Sequence, residues 1–348
     1  LSYRTAVNYL ASKTKVIELC NQFGGRVAVC PEWNGRIMTS SCGGLDSGSF
    51  GLINVQEIDA KEYSNSGGED NLVIPSCPEE GSYSTDSVPP DPEVRMRRSI
   101  QITNSSDEKF SMNIIRTVIL LETEDIIAVF GSSIEMVLQE ADVSYVGFTT
   151  NNVLVNTENR RDENRHSKSG GTVSVCIKSM FNSGQDTIAV LPFREGSKEE
   201  LGPSIITDYF GLAPHGRIRT LGNAALLRAD GNFRCQAGVS RKRALPFTGS
   251  IDFREGILTL QTFNMMTGPY SGEVITVYNH GPTLPEKQPA AFFYEFDFFS
   301  PVKELASGKS ITHQQHTLHI NANNKVLAFL AEQILGVNYS GTFTTMLT

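Results

Sequence analysis

The sequence predicts an all-β protein built as an antiparallel sandwich. Two observations carry that expectation. Many short runs rich in β-branched and aromatic residues are separated by Gly, Pro, Asn and Asp. Only two stretches show apolar spacing near 3.6 residues, one at each end of the chain. Strand–helix alternation of the βαβ kind is missing, and no short-period repeat suggests a propeller or solenoid.

Residues 1–22 are expected to form an N-terminal helical segment. Val7, Leu10, Val16, Ile17 and Leu19 fall at loosely helical spacing across 5–22, and Gly24-Gly25 is the stop. Strands are expected at 26–29, 36–39, 94–102, 110–121, 172–177, 187–191, 233–239, 256–263, 273–278 and 292–298. Two polar, Gly- and charge-rich stretches, 64–92 and 156–171, read as loops of the sort that line a cleft in an all-β protein. The chain closes with a helix over 324–336, where Val326, Leu327, Leu330, Ile334 and Leu335 share a face before Gly336. With no clear linker, residues 1–348 are expected to form one domain.

Composition narrows the function classes. Hydrophobic residues make up 39% and charged residues 20%, enough apolar content to bury a core. A net charge of −8 argues against nucleic acid, which is held by Lys and Arg displacing counterions. The nearest basic stretch, Arg160, Arg161, Arg165 and His166, is broken by Asp162 and Glu163 and reads as a solvated loop. No run of about eighteen apolar residues offers a membrane span. Six scattered cysteines lack the close spacing of a zinc site and read as small hydrophobes, with a disulfide or two open if the protein is exported. No GxSxG elbow, P-loop, GxGxxG or HExxH occurs, so no cofactor and no metal is implied.

Several constellations could carry chemistry. Glu295 and Asp297 stand two apart on an expected strand and share a face, while Tyr294, Phe296 and Phe298 share the other. The acidic face is therefore not core; it is either a carboxylate pair facing a cleft or a solvated face. Glu69 and Asp70 follow Gly67-Gly68 on an expected turn, aimed at a cleft or making an ordinary acidic turn. His215, Arg217 and Arg219 would be in phase on a strand, where arginine forks suit vicinal hydroxyls, or would balance nearby acids such as Asp208 and Asp230. Tyr270, Glu273, Tyr278, Asn279 and His280 combine rings and polar groups in a hairpin-like unit, the mix that binds sugars, although aromatics are also ordinary core. Trp33 reads as core. His313, His316 and His319 recur every third residue, but on the strand expected here His313 and His319 share a face and His316 opposes them, which favours structural or surface roles over a metal.

The ordered segments 29–40 (with Pro31-Glu32-Trp33-Asn34-Gly35-Arg36), Gly67-Gly68-Glu69-Asp70, Asp208-Tyr209-Phe210-Gly211 and Ala229-Asp230-Gly231-Asn232-Phe233-Arg234 carry a resemblance. It continues through Pro269-Tyr270-Ser271-Gly272-Glu273, Tyr278-Asn279-His280-Gly281-Pro282 and Phe293-Tyr294-Glu295-Phe296-Asp297. Together they resemble an uncharacterised family of bacterial proteins with a galactose-mutarotase-like, aldose 1-epimerase-like supersandwich, found mainly in gut-type polysaccharide degraders. The resemblance spans most of the chain, from about residue 25 to about residue 320. Asn71 stands where the family usually has Arg, His215 and His280 where Asp is usual, and Asp297 where Glu is usual.

The resemblance implies a supersandwich with a polar cleft, a carbohydrate partner, and export to the periplasm or cell surface. In mutarotases a His is the general acid and a late Glu the general base. Carried over, Glu295 is the expected base and His280 or His215 the expected acid. The polar contacts expected to a sugar are Arg36, Glu69, Asp70, Arg217, Arg234, Tyr270, Glu273, Asn279 and Asp297. The rivals are a non-catalytic glycan-binding module using the same cleft and a structural or interaction protein.

Overall fold

The strand Phe293–Phe299 shows how this sequence makes packed sheets. Tyr294, Phe296 and Phe298 enter an apolar cluster with Phe181, Leu191, Leu227, Ala237 and Val277, while Glu295 and Asp297 face the other way. Burying each such ring stabilises the fold by roughly 1.5–3 kcal/mol. A computed structural model describes residues 1–348 except 76, 78–80, 88–91, 104–108, 158–171, 212, 215, 283–290, 339–345 and 347–348.

Two antiparallel sheets face one another. The smaller has five strands in the spatial order Cys235–Val239, Ile275–His280, Phe293–Phe299, Cys176–Asn182 and Asn71–Val73. The larger has ten, and its centre is the antiparallel run Phe247–Asp252, Ile257–Phe263, Ser310–Asn321, Ser144–Asn156 and Lys109–Leu120. A three-stranded sheet (Ile17–Cys20, Arg26–Cys30, Arg36–Ser41) packs Leu19, Val27, Val29 and Ile37 into one end of the core between them. The far face of the larger sheet is covered by helices Asn324–Leu335 and Thr123–Phe130, which bury Leu318, Ile320, Leu258 and Leu260 against Leu327 and Leu330.

The C-terminal helix forms where its spacing predicts. The Asn323 side chain accepts hydrogen bonds from the Lys325 and Val326 amides, and Gly336 ends the helix in the left-handed region, at φ 70°. The N-terminal helix is shorter than expected, spanning Tyr3–Ala11, because Ile17–Cys20 becomes a strand. Its Ile17 and Leu19 are buried by pairing with Arg26–Cys30, a tertiary contact that overrides a loose helical spacing. Among the described residues, four further α-helices, Val55–Ala60, Thr123–Phe130, Glu135–Leu138 and Lys198–Leu201, correct the expectation of only two; all are eight residues or fewer, too short to show a period. The expected 172–177 strand is divided: Thr172–Val173 pairs with Lys303–Glu304, and Cys176–Asn182 joins the five-stranded sheet. The basic stretch from Arg160 to His166 lies outside the described residues. No helix among the described residues is long and apolar enough to cross a membrane. All six cysteines are free.

Candidate functional site

The outward face of the five-stranded sheet gathers a set of acidic, basic and aromatic side chains. Strand alternation puts Phe293, Glu295 and Asp297 on it, and register then selects their neighbours: Glu295 lies between Tyr278 and Met180, Asp297 between Thr276 and Lys178, and Phe293 beside His280. Glu295 and His280 are thus diagonal neighbours on adjacent strands, roughly 7–8 Å apart along the sheet. Arg234 immediately precedes the strand that pairs with the His280 strand.

The two carboxyl groups are held differently. Asp297 Oδ2 accepts a hydrogen bond from Thr276 Oγ1 (2.8 Å), with the Cys176 thiol 4.0 Å from its other oxygen. Glu295 Oε1 accepts a charge-assisted bond from Lys178 Nζ at 3.4 Å. Burial, followed by the neighbouring Asp297 charge, holds the Glu295 carboxyl well above the usual carboxylate range, and Lys178 offsets this only in part. Each acid keeps 6% of its surface exposed, so the pair forms the floor of the site rather than its rim.

Aromatic rings build the wall. The Phe210 and Tyr278 centroids are 5.7 Å apart, and the Arg234 guanidinium lies 4.1 Å from the Phe210 centroid and 5.8 Å from that of Tyr278. The His280 ring stacks on Phe293 (4.5 Å, 13°), and its Nδ1 shares a hydrogen bond with the Tyr278 hydroxyl at 2.8 Å. Burial, with the Arg234 charge second, lowers the His280 pKa and favours the neutral imidazole. Phe210 is 45% exposed, an uncommon position for a large ring and one open to a ligand face.

One glycine makes this wall. An added Cβ on Gly238 would lie 2.3 Å from the Tyr209 hydroxyl and 2.6 Å from Glu273 Cγ. The missing side chain lets the 208–211 segment fold down onto the sheet, which brings Phe210 over Tyr278. Burial and the Glu273 charge push the Tyr209 hydroxyl up.

Of the residues expected at a cleft, Glu295, Asp297, His280, Arg234 and Glu273 come together on this face. Four others are buried in the frame. Arg36 is 1% exposed and donates to Ser66 Oγ and the Gly67 carbonyl. Glu69 is fully buried and bonds His319 Nε2 and Ser40 Oγ, both at 2.8 Å. Asp70 is fully buried, paired with Arg116 (2.5 Å) and accepting from Thr150. The Gly67-Gly68 turn does form, with both residues at positive φ, but an added Cβ at Gly67 would lie 1.9 Å from the Leu52 carbonyl oxygen. The turn tucks under that carbonyl and delivers both acids inward. Asn279, the fourth, faces the core side of its strand, accepting from the Gly231 amide and donating to the Phe233 carbonyl.

Arg217 is engaged by Asp230, and Tyr270 donates to the Met266 carbonyl. His215 lies outside the described residues. His313 and His319 point between the sheets and His316 away from them, as the strand reading requires. Trp33 is half-buried against Tyr63. Lys178, Thr276 and the ring of Phe210 escaped the sequence reading. Their alternation was visible, but which strand pairs with Phe293–Phe299 was not.

A family model described as a family of unknown function, DUF6786, matches residues 1–86 and 87–344, and the chain belongs to that family. No curated protein matches the sequence. Among solved structures, the chain is similar to a galactose mutarotase-like protein from Lactobacillus casei ATCC 334, at 12% identity and TM-score 0.52, covering 88% of this chain and 99% of that one. It is similar also to the Slr1438 protein from Synechocystis sp. PCC 6803, at 8% identity and TM-score 0.52, covering 89% and 96%. The fold is galactose-mutarotase-like.

Proposed function

We propose that this DUF6786 protein holds a carbohydrate against the outward face of its five-stranded sheet, with Glu295 and His280 as its proton-handling pair. The observation that carries the reading is the juxtaposition of a carboxyl pair on the floor with a partly exposed ring wall of Phe210, Tyr278 and His280. Sugars need both parts, since C–H faces stack on rings while hydroxyls meet carboxylates and guanidinium groups. The fold likeness to a galactose mutarotase-like protein supports the same ligand class, by analogy of fold alone.

Aldose-epimerase-like chemistry follows from the pair with its expected roles exchanged. Burial and the neighbouring Asp297 charge favour the protonated form of Glu295, so in this reading Glu295 is the acid that protonates the ring oxygen. A neutral His280, its Nδ1 engaged by Tyr278, takes the anomeric hydroxyl proton through Nε2. The C1–ring-oxygen bond breaks, the aldehyde turns about C1–C2, and closure on the other face returns both protons to their starting groups. Arg234, Glu273 and Asp297 supply polar contacts. The setting that suits this reading is export to the periplasm or cell surface.

A glycan-array and thermal-shift screen followed by polarimetry of freshly dissolved aldoses tests the reading in two stages. Binding of at least one sugar, weakened about tenfold or more by Glu295→Gln and about three- to tenfold by Phe210→Ala, is expected. Acceleration over buffer should be greatest between the His280 and Glu295 pKa values, falling on the acid side as His280 gains a proton and on the alkaline side as Glu295 loses one. Binding without acceleration leaves a non-catalytic glycan module; no binding to any sugar ends the reading.

A further inference from the structure

The arginines that are drawn into the fold have protein partners. Arg116 meets Asp70, and Arg217 and Arg228 share Asp230. Arg243 donates to the carbonyls of Arg194, Ser197 and Gly202. Arg234 is held differently. Half-buried just ahead of the strand Cys235–Val239, it lies against the rings of Phe210 and Tyr278. Among the described residues it makes no ion pair within 4.0 Å. Its Nε–H is buried without an acceptor, so the two terminal nitrogens are the part of the fork left to a ligand.

Charge on the outward face is graded along its strands. Cys235 pairs with Asn279, so Arg234 stands beside His280 at one end. Its charge reaches both ring neighbours: it adds to the burial that lowers His280, and it partly offsets the burial that raises the Tyr278 hydroxyl. Thr276, which holds Asp297, lies four residues back along the His280 strand, roughly 13 Å away. Glu273 is at that far end too, against Gly238, which pairs with Thr276. Glu295 lies between the ends, and the other cation of the face, Lys178, is engaged by it at 3.4 Å. Arg234 is thus a guanidinium partly stripped of water by two rings and left without an acid of its own. Such a group gains most from an anionic partner that arrives from solution.

We infer that the sugar held on this face is a uronic acid, its carboxylate seated on the Arg234 fork. The inference rests on the carbohydrate reading of the same face and narrows its substrate class. A carboxylate presents two coplanar oxygens that match the two terminal guanidinium nitrogens, a bidentate and charge-assisted contact. A neutral hexose offers a hydroxymethyl group there and leaves the fork half-used. A sugar phosphate brings a second negative charge, which one guanidinium answers poorly while Asp297 and Glu273 stand on the same face. The rings hold Arg234 in place before any ligand arrives, so its ordering costs little on binding.

The test uses matched sets that differ only at the acidic group: glucose, glucuronate and glucuronamide, then galactose, galacturonate and galacturonamide, with glucose 6-phosphate beside them. Calorimetry on the full chain should show, in at least one set, a uronate binding about tenfold or more tighter than its parent sugar and its amide. Arg234→Gln should bring that ratio to within about twofold of one, with a melting curve confirming a folded protein. The comparison of uronate with uronamide on the wild type stands without the variant. A uronate no tighter than its parent and amide would overturn the inference while leaving neutral sugars as the ligands of the face. A ratio that survives Arg234→Gln, or tighter binding of glucose 6-phosphate than of glucuronate, would overturn it as well. Absence of binding by every compound would end the carbohydrate reading itself, and this inference with it.

Discussion

The space between the sheets and the outward face of the smaller sheet use nearly the same residue types to opposite ends. Between the sheets, Asp70, Arg116, Asn152 and Thr150 form a closed set: Arg116 donates to the Gly35 carbonyl, to Asn152 Oδ1 and to Asp70, and Asp70 accepts from Thr150. Both members of the ion pair are wholly buried. On the outward face, the acids keep a margin of exposure, burial pushes one carboxyl's pKa up, and the Phe210 ring stands partly open beside them. A buried ion pair contributes little net stability once desolvation is counted, but breaking it leaves a charge with nowhere to go. A largely buried acid at the edge of solvent whose pKa is displaced is an arrangement found at functional sites. The contrast shows that the direction a carboxylate points, and what meets it, separates frame from site.

The sharpest way to break this contrast is Asp70→Ala. Stranding the Arg116 charge should cost about 3–5 kcal/mol, read as a fall in denaturation midpoint with the fold's slope retained. A loss under about 1 kcal/mol would show that Arg116 reaches water and that the inner set is not frame.

His313 offers the next largest effect. It is fully buried, stacked on Phe263 at 5.9 Å, and burial lowers its pKa to about 4. A histidine with a lowered folded pKa binds its proton less readily when folded than when unfolded. The stability it contributes is therefore complete above its unfolded value near 6.5 and is lost as pH falls toward 4, by roughly 3 kcal/mol in all. His313→Leu should flatten chemical denaturation profiles across that window. A profile as steep as the wild type would assign the acid sensitivity to other groups.

Glu295 carries the opposite sign. Its folded pKa lies above the unfolded one, so its contribution is complete below the usual glutamate range and is lost as pH rises through the folded value. Glu295→Gln should remove that alkaline decline and be at least as stable as the wild type at pH 8. A large destabilisation would place Glu295 with Asp70, in the frame. The smallest effect on folding belongs to Phe210→Ala. Its ring is nearly half exposed, so stability should change by about 1 kcal/mol or less, while sugar affinity falls about three- to tenfold. Equal losses of both would make the ring packing rather than platform.

Much of the frame was legible because local rules govern it. The Asn324–Leu335 helix carries its cap, its apolar face and its glycine stop within fourteen residues of sequence. The alternation in Phe293–Phe299 disclosed that Glu295 and Asp297 avoid the core. Distant contacts hid the rest. Glu69 and Asp70 look like an acidic surface turn until Leu52 is laid against Gly67, and Ile17–Cys20 reads as helix until a neighbouring strand pairs with it. Lys178 became a partner of Glu295 only through the register of two strands more than a hundred residues apart. The rise in the Glu295 pKa was equally hidden, since burial causes it and burial is a property of the assembled sheet.

Calorimetric titration of the best-binding sugar into wild type, Glu295→Gln and Phe210→Ala, with melting curves for each, tests the central claim most directly. The outward-face reading predicts that both substitutions weaken binding severalfold or more while the folded state persists at neutral pH. Undiminished binding in both variants, with the protein folded, would contradict it.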